Sequence, residues 1–232
     1  MSTIVLLHGA LATERQMLPL EARLPDHDVV SLTFSGHGHR AAEPLDFMRF
    51  VDDIHAGVAP DGVQKVHLFG YSMGGYAALL YAAKFPERVA SVVSLGSILS
   101  WSEEALQQEL RKLDPVRMEQ KVPAFADMLA EWHGTENWRN VVTRVAARMT
   151  DLARSPLLTE EVVQRIKCPV FCCVGEGDTS ADPERTRTFA ARIKHSRTMV
   201  LRNTRHPFEE VDLDAFVPEL RTFWQEVEAT RS

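Results

Sequence analysis

The chain has 232 residues, 45% hydrophobic and 25% charged, ordinary globular usage at a length that buries one sizeable core. Its 26 Lys and Arg against 32 Asp and Glu leave a net charge of −6, which predicts no strongly basic surface and argues against nucleic acid as a partner. No stretch approaches the ~20 apolar residues of a membrane span, and the short apolar run 4–7 lacks a basic leader or cleavage site. A soluble, cytoplasmic monomer or homodimer without membrane association is expected.

Short runs rich in β-branched residues recur along the chain at 4–7, 29–32, 66–69, 89–95, 170–174 and 198–201. They are apolar almost throughout, the mark of strands buried on both faces of a parallel sheet. Segments of helical period lie between them. Phe47, Val51, Ile54 and Val58 share one face, as do Phe216, Leu220, Phe223, Trp224 and Val227. Alternation of this kind over the whole length predicts an open α/β sandwich.

One interval breaks the rhythm. Between the strands near Leu95 and Pro169 lies far more chain than the ~10–12 residues a crossover needs. It predicts helices at 103–113, 122–132, 138–152 and 160–167, punctuated by Asp114-Pro115, His133-Gly134 and Ser155-Pro156. The expected organisation is a core of 1–100 and 167–232 carrying an inserted helical subdomain, 101–166. The three cysteines, Cys168, Cys172 and Cys173, fall in or beside one apolar run. An odd, clustered set builds no disulfide framework, and neighbours on a strand face opposite ways, so buried thiols are expected.

The chemistry concentrates after the third strand. Gly70-Tyr71-Ser72-Met73-Gly74 joins that strand to a small-residue helix, the setting in which a tight strand-to-helix turn lifts a serine hydroxyl above the sheet. A neutral serine needs a base within hydrogen-bond reach and a carboxylate to orient the base. At the carboxyl edge of a parallel sheet the candidates follow the later strands. Asp178 lies in Gly175-Glu176-Gly177-Asp178, with Glu176 and Asp182 as rivals, and His206 ends Asn203-Thr204-Arg205-His206. Of the nine histidines only His206 and His8 closely follow a predicted strand. His8 is expected to hydrogen-bond loop backbone instead of reacting, and His195 to be solvated at a helix end.

After the first strand, His8-Gly9-Ala10-Leu11 turns the backbone so that the Ala10 amide, with that of Met73, can form an oxyanion hole. Ser35-Gly36-His37-Gly38-His39 has the H-x-H spacing of a metal site but no third ligand cluster, and a glycine-rich loop is the expected reading. Gly175-Glu176-Gly177 lacks the third glycine of a dinucleotide fingerprint. The inserted helices carry Trp101, Phe125, Met128, Trp132, Trp138 and Met149. Most should pack, while Leu11, Trp101, Met128, Trp132 and Trp138 are the candidates to line an apolar acyl pocket. Arg144 and Arg148, one turn apart, fit a solvated face better than an anion site.

Leu7-His8-Gly9, Gly36-His37-Gly38, the elbow Gly70 to Gly75, Gly175-Glu176-Gly177-Asp178 and His206 together resemble the α/β-hydrolase superfamily, from Ile4 to Trp224. The resemblance implies a Ser72, His206, Asp178 triad in the family's chain order, a helical lid after the strand that follows the elbow, and no cofactor or metal. Where the family begins with an antiparallel hairpin only Met1 to Thr3 precede the first strand, so a shortened sheet of about six strands is expected. Arg205 stands where the family often has glycine before its histidine. Ser72 in place of an aspartate argues against a dehalogenase or epoxide hydrolase. Tyr76 stands where the related lyase of menaquinone synthesis has arginine, which disfavours that branch. The activity implied is hydrolysis of a small or medium acyl ester. Thioester or carbon-carbon bond hydrolysis, or a low-turnover ligand receptor on the same fold, are the alternatives.

Overall fold

Alternate residues of the four inner strands enter two separate cores, while the two outer strands are only partly buried. In the computed structural model, which describes residues 3–58 and 65–231, Val5 and Leu7 of strand β1 (Ile4–Leu7) face one core while Ile4 and Leu6 face the other. Of the expected core ranges, 1–2, 59–64 and 232 lie outside the described residues. Helix α1 (Leu18–Glu21) leads to β2 (Val29–Leu32), α2 (Phe47–Gly57), β3 (Val66–Tyr71), α3 (Met73–Lys84) and β4 (Val89–Leu95). The insertion follows as α4 (Glu103–Lys112), α5 (Pro115–Lys121), α6 (Pro123–His133), α7 (Trp138–Arg154) and α8 (Glu160–Val163). The chain returns through β5 (Val170–Gly175), α9 (Pro183–Ala190), β6 (Ser196–Leu201) and α10 (Leu213–Ala229).

The six strands form one parallel sheet in the order β2-β1-β3-β4-β5-β6, the shortened sheet that was expected. One core holds α2, α3 and the buried faces of the insertion; the other is filled by Met17, Leu20, Phe216 and Trp224 of the opposite layer. Residues 73–83 of α3 are buried on every side, so its small side chains let the helix lie close against β3 and β4. Cys172 and Cys173 point into opposite cores. Burial pushes the Cys168 and Cys172 thiols up to about 12, which leaves them protonated and unreactive.

The insertion differs from expectation at one helix. Asp114-Pro115 opens α5 instead of merely ending α4: Pro115 sits in the first turn, where its missing N–H costs nothing, and the Asp114 carboxylate accepts the N–H groups of Val116 and Arg117. The last short helix stops at Val163, before the predicted 167.

Candidate active site

Ser72 sits at the edge of the sheet in a backbone conformation that side chains seldom adopt, with φ of 51°. Its N–H donates to the Leu95 carbonyl at 2.7 Å, which pins the strained turn to the neighbouring strand. The flanking glycines are required by contact. A Cβ on Gly70 would lie 2.4 Å from the Gly74 backbone, and one on Gly74 would lie 2.4 Å from the Leu7 carbonyl oxygen. A second anchor runs beneath the turn, where the Ser97 hydroxyl donates to the Ser72 carbonyl at 2.8 Å.

The loops after β5 and β6 bring two more groups to this edge. His206 Nε2 lies 3.4 Å from Ser72 Oγ, and its Nδ1–H donates to Asp178 Oδ2 at 2.8 Å. The other carboxylate oxygen of Asp178 accepts the N–H groups of Ser180 and Ala181, both at 2.8 Å. The Asp178 side chain is 2% exposed and the imidazole 23%, so the acid is held dry and the base opens to the cavity. The rivals are occupied elsewhere: Asp182 caps α9, and Glu176 accepts the Asn203 N–H. Arg205 turns outward to pair with Glu210 at 2.5 Å and leaves the imidazole in place.

Tyr71, one residue before Ser72, donates its hydroxyl to the His206 carbonyl at 2.7 Å. Burial, reinforced by the charge of Asp178, holds that phenol well above its ordinary range, so it stays a donor. The sequence reading missed this contact. Nothing but the approach of the β6 loop to the elbow brings Tyr71 and His206 together.

The amides expected to bind an oxyanion are free to do so. Among the described residues neither the Ala10 nor the Met73 N–H donates to a protein acceptor, and both residues line a cavity with Ser72. Leu11, next to Ala10, has φ of 62°. Its carbonyl accepts from His133 Nε2 at 3.0 Å, while His133 Nδ1 accepts the Gly38 N–H at 2.8 Å. His133 belongs to α6 of the insertion, so a buried neutral ring ties that layer to the loop beside Ala10. Burial lowers its pKa, which favours the neutral form these two bonds require. His8 is wholly buried, accepts the Phe34 N–H and donates to the Gly9 carbonyl, the backbone role expected of it. Its pKa is driven down to about 4 by burial. His37 is buried beside His8 and His133 while His39 is exposed, so the two rings of the H-x-H pattern lie in different environments. His195 is exposed.

Two cavities meet at Ser72. The smaller is a narrow apolar annex of about 430 Å³, its open mouth included, walled by Leu45, Phe47, Tyr76, Trp101, Met149 and Leu152 among others. The larger is an open cleft of about 1940 Å³, its mouth included, which His206 also lines. Of the expected lining residues, Trp101 faces the annex while Leu11, Met128 and Trp132 face the cleft. Trp138 is a correction. It is 3% exposed and lines neither cavity, because the face of α7 that carries Trp138, Val141, Val142 and Val145 is the one buried against the core. Arg144 is a second correction: its guanidinium binds the carbonyls of Gly36, Ala41 and Glu43, clasping the loop after β2, and is neither solvated nor poised for an anion. Tyr76 and Phe47 in the annex were missed because nothing in a helical pattern distinguishes a core ring from one that borders a cavity.

Residues 4–219 match the model of the alpha/beta hydrolase family. The chain belongs to that family. Proline iminopeptidase PfmaB of Pestalotiopsis fici (strain W106-1 / CGMCC3.15140) is 24% identical over 94% of this chain and 90% of its own length. The 2-succinyl-6-hydroxy-2,4-cyclohexadiene-1-carboxylate synthase of Serratia proteamaculans (strain 568) is 25% identical over 56% of this chain and 52% of its own length. A relative from Bacillus subtilis (strain 168) reaches 35% identity, but over 34% of that protein only. Among solved structures, a carboxylesterase study of Nitrososphaera gargenis supplies a chain with a TM-score of 0.76 and 19% identity, covering 99% of this chain and 92% of that one. At that identity the likeness is one of fold. For this alpha/beta hydrolase the position after the last elbow glycine, Gly75, also has a structural use: the Tyr76 hydroxyl accepts the N–H groups of Leu157 and Leu158, both at 3.1 Å, and holds the returning chain of the insertion.

Proposed function

We propose that this alpha/beta hydrolase is a serine esterase acting on small or medium acyl esters. The observation that carries the reading is the hydrogen-bonded line from Ser72 Oγ through His206 to the dry carboxylate of Asp178. His206 takes the Ser72 proton as Oγ attacks the ester carbonyl, and the tetrahedral oxyanion is bound by the amides of Ala10 and Met73. The C–O bond then breaks and His206 passes the proton to the departing alcohol. Asp178 keeps Nδ1 protonated and balances the imidazolium charge throughout. Water enters with His206 again as base, releasing the acid and restoring Ser72. No cofactor or metal is required by these steps.

The annex suits the acyl group, being apolar and bordered by both oxyanion amides. The inserted helices, 101–166, act as the lid, with Trp101 bounding the acyl site and Met128 and Trp132 the approach to it. Capture by a fluorophosphonate combined with turnover of a p-nitrophenyl ester series tests the reading. Rapid capture that Ser72→Ala abolishes, with turnover that peaks at a short or medium chain, is the expected result. Capture with no turnover of any ester would overturn the ester reading in favour of carbon-carbon bond hydrolysis or a low-turnover receptor, and a stalled acyl adduct on Ser72 would mark the receptor.

A further inference from the structure

The two cavities at Ser72 are not interchangeable, because the imidazole that must hand a proton to the leaving group lines only one of them. His206 lies on the open cleft and not on the annex. On the ester reading above, from which this inference follows, the departing alcohol or thiol therefore occupies the cleft.

The walls of that cleft carry Arg111, Lys112, Arg117, Lys121 and Arg205 against Glu109 and Glu209. Two of the five cations are already balanced, Lys112 by Glu109 at 2.6 Å and Arg205 by Glu210 at 2.5 Å. Arg111, Arg117 and Lys121 have no ion-pair partner among the described residues. They face a single uncompensated carboxylate, Glu209, in a chain whose overall charge is −6. Helix dipoles account for part of the pattern, since Arg111 and Lys121 stand in the last turns of α4 and α5. They do not account for Arg117, at the third position of α5, nor for convergence on one cavity. The same walls present Leu113, Met118 and Met128, with the exposed Val122 and Phe125 beside them, and the three cations are themselves exposed, so their field reaches an anion in the cleft and is screened by salt.

We infer that the leaving group is an alcohol or thiol that bears an anion, a phosphate or a carboxylate, at the end away from the scissile bond. An apolar arm lies along Met118, Phe125 and Met128 while its anionic end reaches Arg111, Arg117 and Lys121. The acyl carbon is bonded to Ser72 Oγ as the bond to the arm breaks, and the arm leaves with the proton from His206, its distal charge unchanged.

Three butanoyl esters of one arm length, ending in phosphate, carboxylate or a neutral methoxy group, test this directly. The kcat/KM ratio of anionic to neutral ester should exceed about tenfold at low ionic strength and fall toward one in high salt. Arg111→Gln, Arg117→Gln and Lys121→Gln should each lower that ratio about threefold, and together by about tenfold or more. Arg154→Gln, which removes an exposed cation that does not line the cleft, should leave the ratio unchanged. A ratio near one in the unaltered protein, or a ratio that the triple replacement does not move, overturns the inference. A phosphate ratio well above the carboxylate ratio identifies a phosphorylated arm, and the reverse a carboxylated one. If no ester of any charge is turned over, the esterase reading fails, and calorimetric titration with the three non-hydrolysable ether analogues decides the charge preference on its own: anionic analogues bound about tenfold more tightly uphold it, equal binding ends it.

Discussion

The carboxyl edge of the sheet and the inserted helices solve different problems. At the edge, each candidate catalytic group stands on a turn or loop that leaves a strand of the parallel sheet, and hydrogen bonds tie these segments together: Ser72 N–H to the Leu95 carbonyl at 2.7 Å, Gly177 N–H to the Thr204 carbonyl at 2.9 Å, and the Tyr71 hydroxyl to the His206 carbonyl at 2.7 Å. The insertion meets the core through one apolar face, which includes Leu129, Trp138, Val141 and Val145, and through the polar clasps of Arg144, His133 and the Tyr76 hydroxyl. It leaves large apolar side chains in solvent, with Val116 59% and Val122 49% exposed. The chemistry is thus over-determined by the sheet, while the shape and charge of the cavities rest on a layer with fewer constraints and more freedom to vary.

The largest effects should come from the edge. Ser72→Ala or His206→Ala alone should lower kcat by roughly 10⁴ to 10⁶, and the double replacement should lower it little further, because the groups act as a unit. Asp178→Asn should cost about 10⁴ by favouring the wrong imidazole tautomer. Losses that multiply in the double variant would break the comparison at its root.

Next in size is a contrast inside the insertion. Trp138→Ala should destabilise the fold by about 3–5 kcal/mol, as for a buried ring, with no change in preferred acyl length. Trp101→Ala should enlarge the annex and move the preferred ester toward longer chains, each methylene being worth about 1–3 kcal/mol. Thermal melts and an ester series on both variants separate the two roles. A shift in chain preference from Trp138 would put that ring back at the cavity.

Acid should weaken the sheet side in a defined window. The pKa of His8 is lowered by burial from 6.5 to about 4, so between those values the unfolded chain binds a proton that the folded one refuses. Stability therefore rises with pH across the window and is lost as pH falls through it, by about 3 kcal/mol for this residue. His67, lowered to about 4 by burial although Glu228 opposes the shift, adds in the same direction. Melting temperatures measured from pH 7 to pH 4 should fall steadily; a flat profile would contradict a neutral, buried His8.

The smallest effect tests whether the two regions are coupled at all. His133→Ala removes the ring that binds the Leu11 carbonyl and the Gly38 N–H, and should lower kcat about tenfold to a hundredfold by loosening the loop that presents the Ala10 amide. KM should change less, since the ring itself lines neither cavity. His133→Gln, which retains a donor and an acceptor, should recover part of the loss. An unchanged kcat in His133→Ala would make the insertion a wall only.

Local pattern determined the parallel sheet, the elbow and the edge at which Ser72 and His206 stand, and it left Asp178 with Glu176 and Asp182 as rivals. Apolar runs buried on both faces admit few arrangements, and in a parallel sheet every strand delivers its following loop to the same side, so Ser72, Asp178 and His206 converge once the strands are recognised. Helix α5 was hidden because Asp114-Pro115 reads equally as a stop or a start, and only the caps on Val116 and Arg117 decide between them. The fates of Trp101 and Trp138, the clasps made by Arg144 and His133, and the cations gathered on one cavity were settled by tertiary packing. A composition of net charge −6 is a sum that carries no positions, and a helical period marks which face is buried without saying whether a neighbouring side chain or an empty space lies against it.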